Sequence, residues 1–410
     1  MSEITDRPGG PAADDATTPS LLVTLTGPDQ PGISTAVFAA LRGIDVRVLD
    51  VEQAVVRRHL NLGILLDLGD ARHEDEIAGR VTAIADRFGL AAEFLRGFGD
   101  DQERRTGRTI VTVLGRPLRA SHMAAVTQRL WEHRANIDGI RRLSHSPVTT
   151  IELSVSGARS DVLRRELAAV SVEHRIDIAV SPAGLARRGR RLVVMDVDST
   201  LITGEVIEML AEHAGRGAEV RAITEAAMRG ELDFAASLRR RVAALEGLDV
   251  AVLDEVRADV TLTPGARTLC RTLRELGFSI ALVSGGFAEV VEPLGREVGA
   301  TYVRANHLEA AHGRLTGNVS GPIVDRAGKA AALREFAELE HLPLSRTVAI
   351  GDGANDLEML AAAGLGIAFN AKPVVQAQAD TSVNVPYLDS VLYLLGINAG
   401  DVHEADDADS

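Results

Sequence analysis

The sequence is short of cysteine, aromatic residues, long apolar runs and basic charge, and each shortage removes a class of protein. Its one cysteine, Cys270, rules out an intramolecular disulfide and any multi-cysteine metal site. Within RTLCRTLREL it falls on a helical pattern and reads as a buried structural thiol. Aromatic residues make up only 3% of the 410 positions, so the cores must be built from Leu, Val, Ala and Ile. No apolar stretch has the length of a membrane span, and the Pro/Gly-rich opening MSEITDRPGGPAADDATTPS lacks the apolar segment of a signal peptide. The expectation is a cytoplasmic chain with a disordered tail over residues 1–20 and no membrane partner. With 44 Lys and Arg against 58 Asp and Glu the formal charge is −14, which argues against nucleic acid as a general partner. An anionic small molecule needs only a local cationic pocket, and bound metal can supply one. The acidic end, residues 399–410, reads as a second solvated tail.

The chain is long enough for two or three domains. From Leu21, short apolar strands alternate with helical periods: LLVTLTG, then PGISTAVFAALRG, then VRVLDVEQAVV and LNLGILLDL, then EDEIAGRVTAIADRFG and AAEFLRGF. This is the β-α-β-β-α-β order of a ferredoxin-like unit over 21–98. The order recurs over 108–182, from RTIVTVLG through SHMAAVTQRLWEHR to RIDIAVS. These repeats resemble ACT domains, small modules that often bind amino acids. In the first, TGPDQPGI is similar to the family's strand-to-helix loop, with Asp29 and Gly32 at the positions that contact a ligand or close the turn. The second copy reads GRPLRA there and lacks that arrangement. The resemblance implies an amino-acid effector such as serine, with packing and dimerisation as the competing role for both copies. Exposed sheet edges in such modules favour a homodimer.

After the basic linker over 183–190 the pattern changes to apolar strands interleaved with longer helices: RLVVMDV, FSIALVSG, TVAIGDG and GLGIAF. That alternation predicts an α/β fold with an open, mostly parallel sheet over 191–203 and 263–398, and a helical cap inserted at 204–262.

Three of these strands end in reactive side chains. VMDVDSTL delivers Asp196 to the carboxyl edge of the sheet, where open α/β folds place ligands. A period of two turns Asp198 to the same side if the strand continues. Such a pair divides labour: one ionised carboxylate attacks, while its neighbour, with a raised pKa, exchanges a proton. Two charges so close call for a cation. LVSGG brings Ser284 and Gly285, whose hydroxyl and small-residue amides suit phosphate oxygens. Lys329 adds a point cation, and GDGANDL ends another strand with Asp352, Asn355 and Asp356, hard oxygen groups of the kind that suit Mg²⁺. Each piece alone is common; the order of all four is informative.

That order resembles the haloacid dehalogenase superfamily of phosphatases, and within it the phosphoserine phosphatases, over about 191–398. The resemblance implies that Asp196 attacks phosphorus and that Asp198 serves as acid and then base. It also implies that Mg²⁺ is held by Asp196, Asp198 through its carbonyl, and Asp352, with Asp356 supporting that shell. Ser284, Gly285, Lys329 and Asn355 would hold phosphoryl oxygens. In the cap, Glu205 would meet the substrate ammonium, Met228 and Phe234 would line the pocket, and Arg241 would bind the carboxylate. Residue chemistry alone does not separate Arg241 from Arg239 or Arg240. The implied reaction is hydrolysis of O-phospho-L-serine to L-serine and phosphate. Two other functions stay open: a phosphatase for another small phosphomonoester, and an amino-acid-sensing protein with an inactive phosphatase core.

Overall fold

A computed structural model of the chain describes residues 18–69, 73–99, 108–184, 189, 191–228 and 232–402, the side chain of Met228 excepted. The linker positions 185–188 and 190 and the terminal segments 1–17 and 403–410 lie outside the described residues. The chain divides into two compact units, 1–105 and 106–410.

The first unit is one antiparallel sheet of order β2-β3-β1-β4, formed by β1 (Pro19–Pro28), β2 (Arg47–Val56), β3 (His59–Asp67) and β4 (Ala91–Phe98). Helices α1 (Ile33–Ala40) and α2 (Glu74–Phe88) complete the ferredoxin-like order expected from the sequence. Alternate residues Leu21, Val23 and Leu25 of the central strand are buried, and Ile77, Val81 and Ala85 of α2 meet them at helical spacing. The expected tail over 1–20 is corrected at its end. Ser20 is buried because it pairs on both sides, with Asp67 and with Gly97. All ten residues of β2, at the edge, are exposed, among them Val51, Val55 and Val56.

The second unit holds the other ferredoxin-like sheet and the large α/β sheet together. The small sheet has the order β6-β7-β5-β8, from β5 (Thr109–Gly115), β6 (Asn136–Ser144), β7 (Thr149–Ser156) and β8 (Asp177–Pro182), with α3 (Ala120–Glu132) and α4 (Ser160–His174). The large sheet has the order β12-β11-β10-β9-β13-β14-β15. Its strands are β9 (Leu192–Met195), β10 (Ser279–Phe287), β11 (Tyr302–Ala311), β12 (Arg314–Ser320), β13 (Thr347–Gly351), β14 (Leu365–Phe369) and β15 (Thr381–Val383). All neighbours run parallel except the β11–β12 hairpin. Every residue of β9 is inaccessible, as a central strand covered on both faces requires. Cys270 is buried in the helix Ala266–Glu275, in phase with Ala266, Leu269 and Leu273, and burial pushes its thiol up to about 12.

The two sheets of this unit share one core, to which Leu114 and Ala179 contribute from the small sheet and Val148 from the bend before β7. They are also stitched by polar contacts. Asp177 of β8 accepts from the Asn384 backbone N–H at 2.9 Å and its side-chain amide at 2.7 Å. Arg164 of α4 pairs with Asp380 at 2.8 Å. The chain is still helical at 399–402 and buries Ala399 and Val402, so the expected acidic tail does not start at 399. Apolar contact with the core overrides the local charge there.

Among the described residues between β9 and the helix Ala266–Glu275 lie four α-helices, Val206–His213, Gly217–Met228, Phe234–Ala243 and Val252–Asp259. They leave and rejoin the sheet through one crossing, in which Ile202 bridges Leu262 and the N–H of Thr203 donates to Thr261 at 3.0 Å. Their far side is tied to the β11–β12 hairpin. The Gly247 N–H donates to Leu315 at 2.8 Å, the Leu315 N–H to Leu248 at 2.9 Å and the Val250 N–H to Gly313 at 3.0 Å.

Candidate active site

Strand register brings the acidic and hydroxyl residues together. Met195 pairs with Leu282 on one side and Ile350 on the other. Asp196, Ser284 and Asp352 are therefore the first or second residues past a common rung, at the carboxyl ends of three adjacent strands. The Asp196 N–H still donates to Ile350 at 2.9 Å, which holds the residue to the sheet.

The expected continuation of β9 through Asp198 does not occur. The chain turns instead into a five-residue π-type turn, Val197–Leu201, with Ser199 at φ 57°. This turn presents Asp198 to the site. Asp198 Oδ1 accepts the Val206 N–H at 2.8 Å, at the start of the first cap helix, and Oδ2 accepts from Ser284 Oγ at 3.3 Å. Ser284 Oγ in turn accepts the Gly286 N–H at 2.8 Å.

Lys329 is fully buried, contrary to the usual fate of lysine, because it is in helical phase with Ala332, Leu333 and Phe336 on the packed face of the helix Arg326–Leu339. Asp325 caps this helix by accepting the Gly328 N–H at 2.8 Å. Lys329 Nζ lies 2.7 Å from Asp196 Oδ1 and 2.7 Å from Asp356 Oδ1. The second oxygen of Asp356 accepts the Gly353 N–H at 2.9 Å, so both its oxygens are engaged from behind the site. Asn355 stands half-buried in the same short turn, against Gly353.

The electrostatics are those of crowded negative charge. Burial pushes Asp196 well above the usual carboxylate range, Asp356 adds to this and Lys329 opposes it. Burial alone would lower Lys329, but Asp196 and Asp356 outweigh it, and the ammonium is held protonated. Asp352 rises to about 6, mainly through burial and then through Asp356. Oxygens of Asp196, Asp352 and Asp356 come within 4.8 Å of one another. Three carboxylates against one lysine, with hard oxygen donors only, fit Mg²⁺, and Asp196 and Asp352 would face it while Asp356 buttresses them.

From the cap, the edge of Phe234 reaches the glycine loop: a Cβ on Gly285 would lie 3.0 Å from its ring. Burial pushes Glu205 up to about 7, with Asp198 adding and Arg241 opposing. Burial lowers Arg241, against the pull of Glu205 and Asp198, and its buried Nε has no hydrogen-bond partner. Glu205 and Arg241 are thus both within electrostatic reach of Asp198. The side chain of Met228 lies outside the described residues.

Two polar residues of the site escape sequence reasoning. Thr200 Oγ1 donates to Asp352 Oδ1 at 3.4 Å, and its position beside the acidic pair was a readable signal. Asn306, on β11, donates to Gly285 O at 2.8 Å and has no such signal, since β11 shows no clear alternation.

Comparison with known proteins agrees with this geometry. Residues 193–361 match the haloacid dehalogenase-like hydrolase family, and 20–94 and 108–181 each match an ACT domain family. A phosphoserine phosphatase of Streptomyces coelicolor is 53% identical over 96% of both chains. A phosphoserine phosphatase of Mycobacterium tuberculosis is 50% identical over 95% of this chain and 96% of its own. Among solved structures, a probable phosphoserine phosphatase from Vibrio cholerae superposes with a TM-score of 0.57 at 32% identity, covering 75% of this chain and 91% of its own.

Proposed function

Because the chain belongs to the haloacid dehalogenase-like phosphoserine phosphatases with two ACT-like domains, we propose how its own residues carry the family's reaction. The protein hydrolyses O-phospho-L-serine to L-serine and phosphate through an aspartyl-phosphate, the last step of L-serine biosynthesis, and depends on Mg²⁺. The observation that carries the residue assignment is the buried Lys329 ammonium, 2.7 Å from both Asp196 and Asp356 at the shared strand edge.

Asp196 attacks phosphorus as the bond to the serine oxygen breaks, which splits one displacement into two. Asp198 gives its proton to that oxygen; burial, opposed by the Val206 N–H, holds its pKa raised, as a proton donor needs. In the second half Asp198 takes a proton from water, the water oxygen bonds to phosphorus, and the Asp196–phosphorus bond breaks. Lys329, Ser284, the Gly285 amide and Asn355 grip the phosphoryl oxygens as charge develops. Asp196, Asp352 and the Asp198 carbonyl would hold Mg²⁺, which would supply positive charge to offset that of the carboxylates and the phosphate.

The cap assigns the substrate. Glu205 meets the ammonium, Arg241 offers its planar donor fork to the carboxylate, and Phe234 closes the apolar side. The unpartnered Arg241 Nε supports this. The domains we assign are ACT-like units over 19–98 and 108–182, a core over 191–203 and 263–402, and a cap over 204–262.

An amino-acid effector, serine or another, would bind the first ACT-like domain at the loop Asp29–Gly32, where Gly32 at φ 93° leaves open space above its Cα. The exposed edge strand β2 supports a homodimer built through that domain. No helix among the described residues is long and apolar enough to cross a membrane.

Phosphate release from a panel of phosphoamino acids and sugar phosphates, with Mg²⁺ and with chelator, tests the assignment. Release is expected from phosphoserine, with Mg²⁺ only, and none from a folded D196N variant. Equal turnover of substrates with and without the amino and carboxylate groups would defeat the roles given to Glu205 and Arg241.

A further inference from the structure

Asn306 lies one strand away from the reacting groups, on β11, and is 1% exposed. A buried primary amide must satisfy both ends, and this one does. Its Nδ2 donates to the carbonyl of Gly285 at 2.8 Å and its Oδ1 accepts the Val324 N–H at 2.7 Å. The partners fix which end is which, since a carbonyl only accepts and an N–H only donates.

Each contact leads to a different part of the machinery. The peptide joining Gly285 and Gly286 is planar and trans, so its carbonyl and its N–H point in opposite directions. With the carbonyl held by Asn306, the Gly286 N–H is turned onto Ser284 Oγ at 2.8 Å. Ser284, its oxygen occupied by that N–H, directs its own hydrogen to Asp198 Oδ2 at 3.3 Å. On the other side, Val324 immediately precedes Asp325, the cap of the helix that bears Lys329, and the Lys329 N–H donates to Asp325 O at 2.9 Å.

We propose that Asn306 is a positioning residue that sets the phosphate-gripping hydroxyl and the proton-transferring carboxylate in register with the buried lysine. It touches neither substrate nor metal ligand in this scheme and acts through one peptide unit on each side. The surroundings leave no slack to absorb an error. A Cβ on Gly286 would meet Asp198 Oδ2 at 2.8 Å and Ser284 Oγ at 3.0 Å, and one on Gly285 would meet Phe234 at 3.0 Å. A rotation at Gly286 therefore acts on Asp198 and Ser284 directly, at the phosphoryl end.

The inference rests on the phosphoserine phosphatase assignment above, and the parent enzyme's Mg²⁺-dependent turnover is its control. N306D keeps the shape and the acceptor for Val324 but loses the donor to Gly285. N306S is neutral and small enough to admit a water that bridges both partners. For folded protein, kcat is expected to fall at least about tenfold in N306D and less in N306S, because a misplacement near 1 Å costs up to about a hundredfold. KM for phosphoserine is expected to stay within about threefold, and kcat on a simple aryl phosphate to fall in parallel, since the phosphoryl end is affected and the cap is not.

Both variants folded, with kcat within about twofold of the parent, would overturn the proposal. So would a loss confined to phosphoserine KM. If neither variant folds, Asn306 serves stability alone and the proposal falls. An inactive parent would instead indict the functional assignment.

Discussion

Replacing Lys329 by Met removes one charge from the centre of the site and almost nothing else, because the two side chains are similar in length and volume. The ammonium makes two contacts of 2.7 Å. At an effective dielectric of about 20, each is worth about 6 kcal/mol of Coulomb attraction before desolvation is charged against it. Removal of one member of a buried ionic cluster costs a net amount nearer 3–5 kcal/mol, roughly, since uncompensated charge stays behind. In a unit of this size about 1 kcal/mol moves the melting temperature by roughly 2–4 °C, so a drop of about 6–20 °C is expected in chelator.

The stranded Asp196 escapes in part by taking up a proton. Its folded-state pKa, already raised by burial, rises further above the unfolded one. A carboxyl of that kind loses stability as pH climbs, so the gap between parent and K329M should widen from about pH 5 to about pH 8. Mg²⁺ should narrow it by restoring positive charge, while kcat stays about a hundred- to a thousandfold down, because the phosphoryl oxygens have lost a preorganised partner. Thermal melts by circular dichroism over that pH range, with Mg²⁺ and with chelator, read the first effect, and phosphate release reads the second. A variant that melts with the parent in chelator at the alkaline end, or that retains kcat within about threefold, would refute the reasoning.

The clasp between the small and large sheets should also titrate. Burial holds Asp177 up to about 6, against hydrogen bonds from Asn384 and Ser382, from an ordinary value of 3.8. Since the folded value is the higher, its stability is intact below about pH 4 and is lost as pH rises through about 6, by about 3 kcal/mol. D177N should flatten that part of the pH–stability curve, and an unchanged slope would remove Asp177 as the cause. R241A should cut kcat/KM for phosphoserine at least about tenfold more than for an aryl phosphate, the scale of a charged hydrogen bond. An equal fall on both would take the carboxylate away from Arg241. In calorimetry of the full chain, serine or another amino acid should bind the parent and bind D29A more weakly; no heat with any amino acid would remove the direct-sensor role.

How much of this was legible depends on the kind of signal each residue carries. The ferredoxin-like repeats and the strands around Val194, Val283 and Ile350 announced themselves by apolar periodicity, because a central strand buried on both faces has little freedom of composition. Asp196, Ser284 and Asp352 followed, since strand ends in a parallel sheet share one edge. Asp198 reached its place by a different route from the one expected, through a tight turn at Ser199 rather than strand alternation. The β11–β12 hairpin was missed because buried, half-buried and exposed positions follow one another in it without a regular period, so nothing in TYVRANHLEAA marks a strand. Asn306 went unseen with it. A buried amide bridging two loops has no spacing rule, and only the folded chain reveals its partners. The depth of Lys329 was hidden likewise, since helical phase with Ala332 and Phe336 is visible but the charge waiting beneath is not.

The cap is fastened at both ends: at its root, where Ile202 meets Leu262, and at the hairpin, where Gly247, Leu248 and Val250 are laced to Gly313 and Leu315. A flap held by one edge swings; a strap held by two can only bow. Admission to the site is then rationed by how far the segment between the fastenings can lift, whatever charges it carries beneath. The height of that opening is therefore a property of the main chain between the two fastenings.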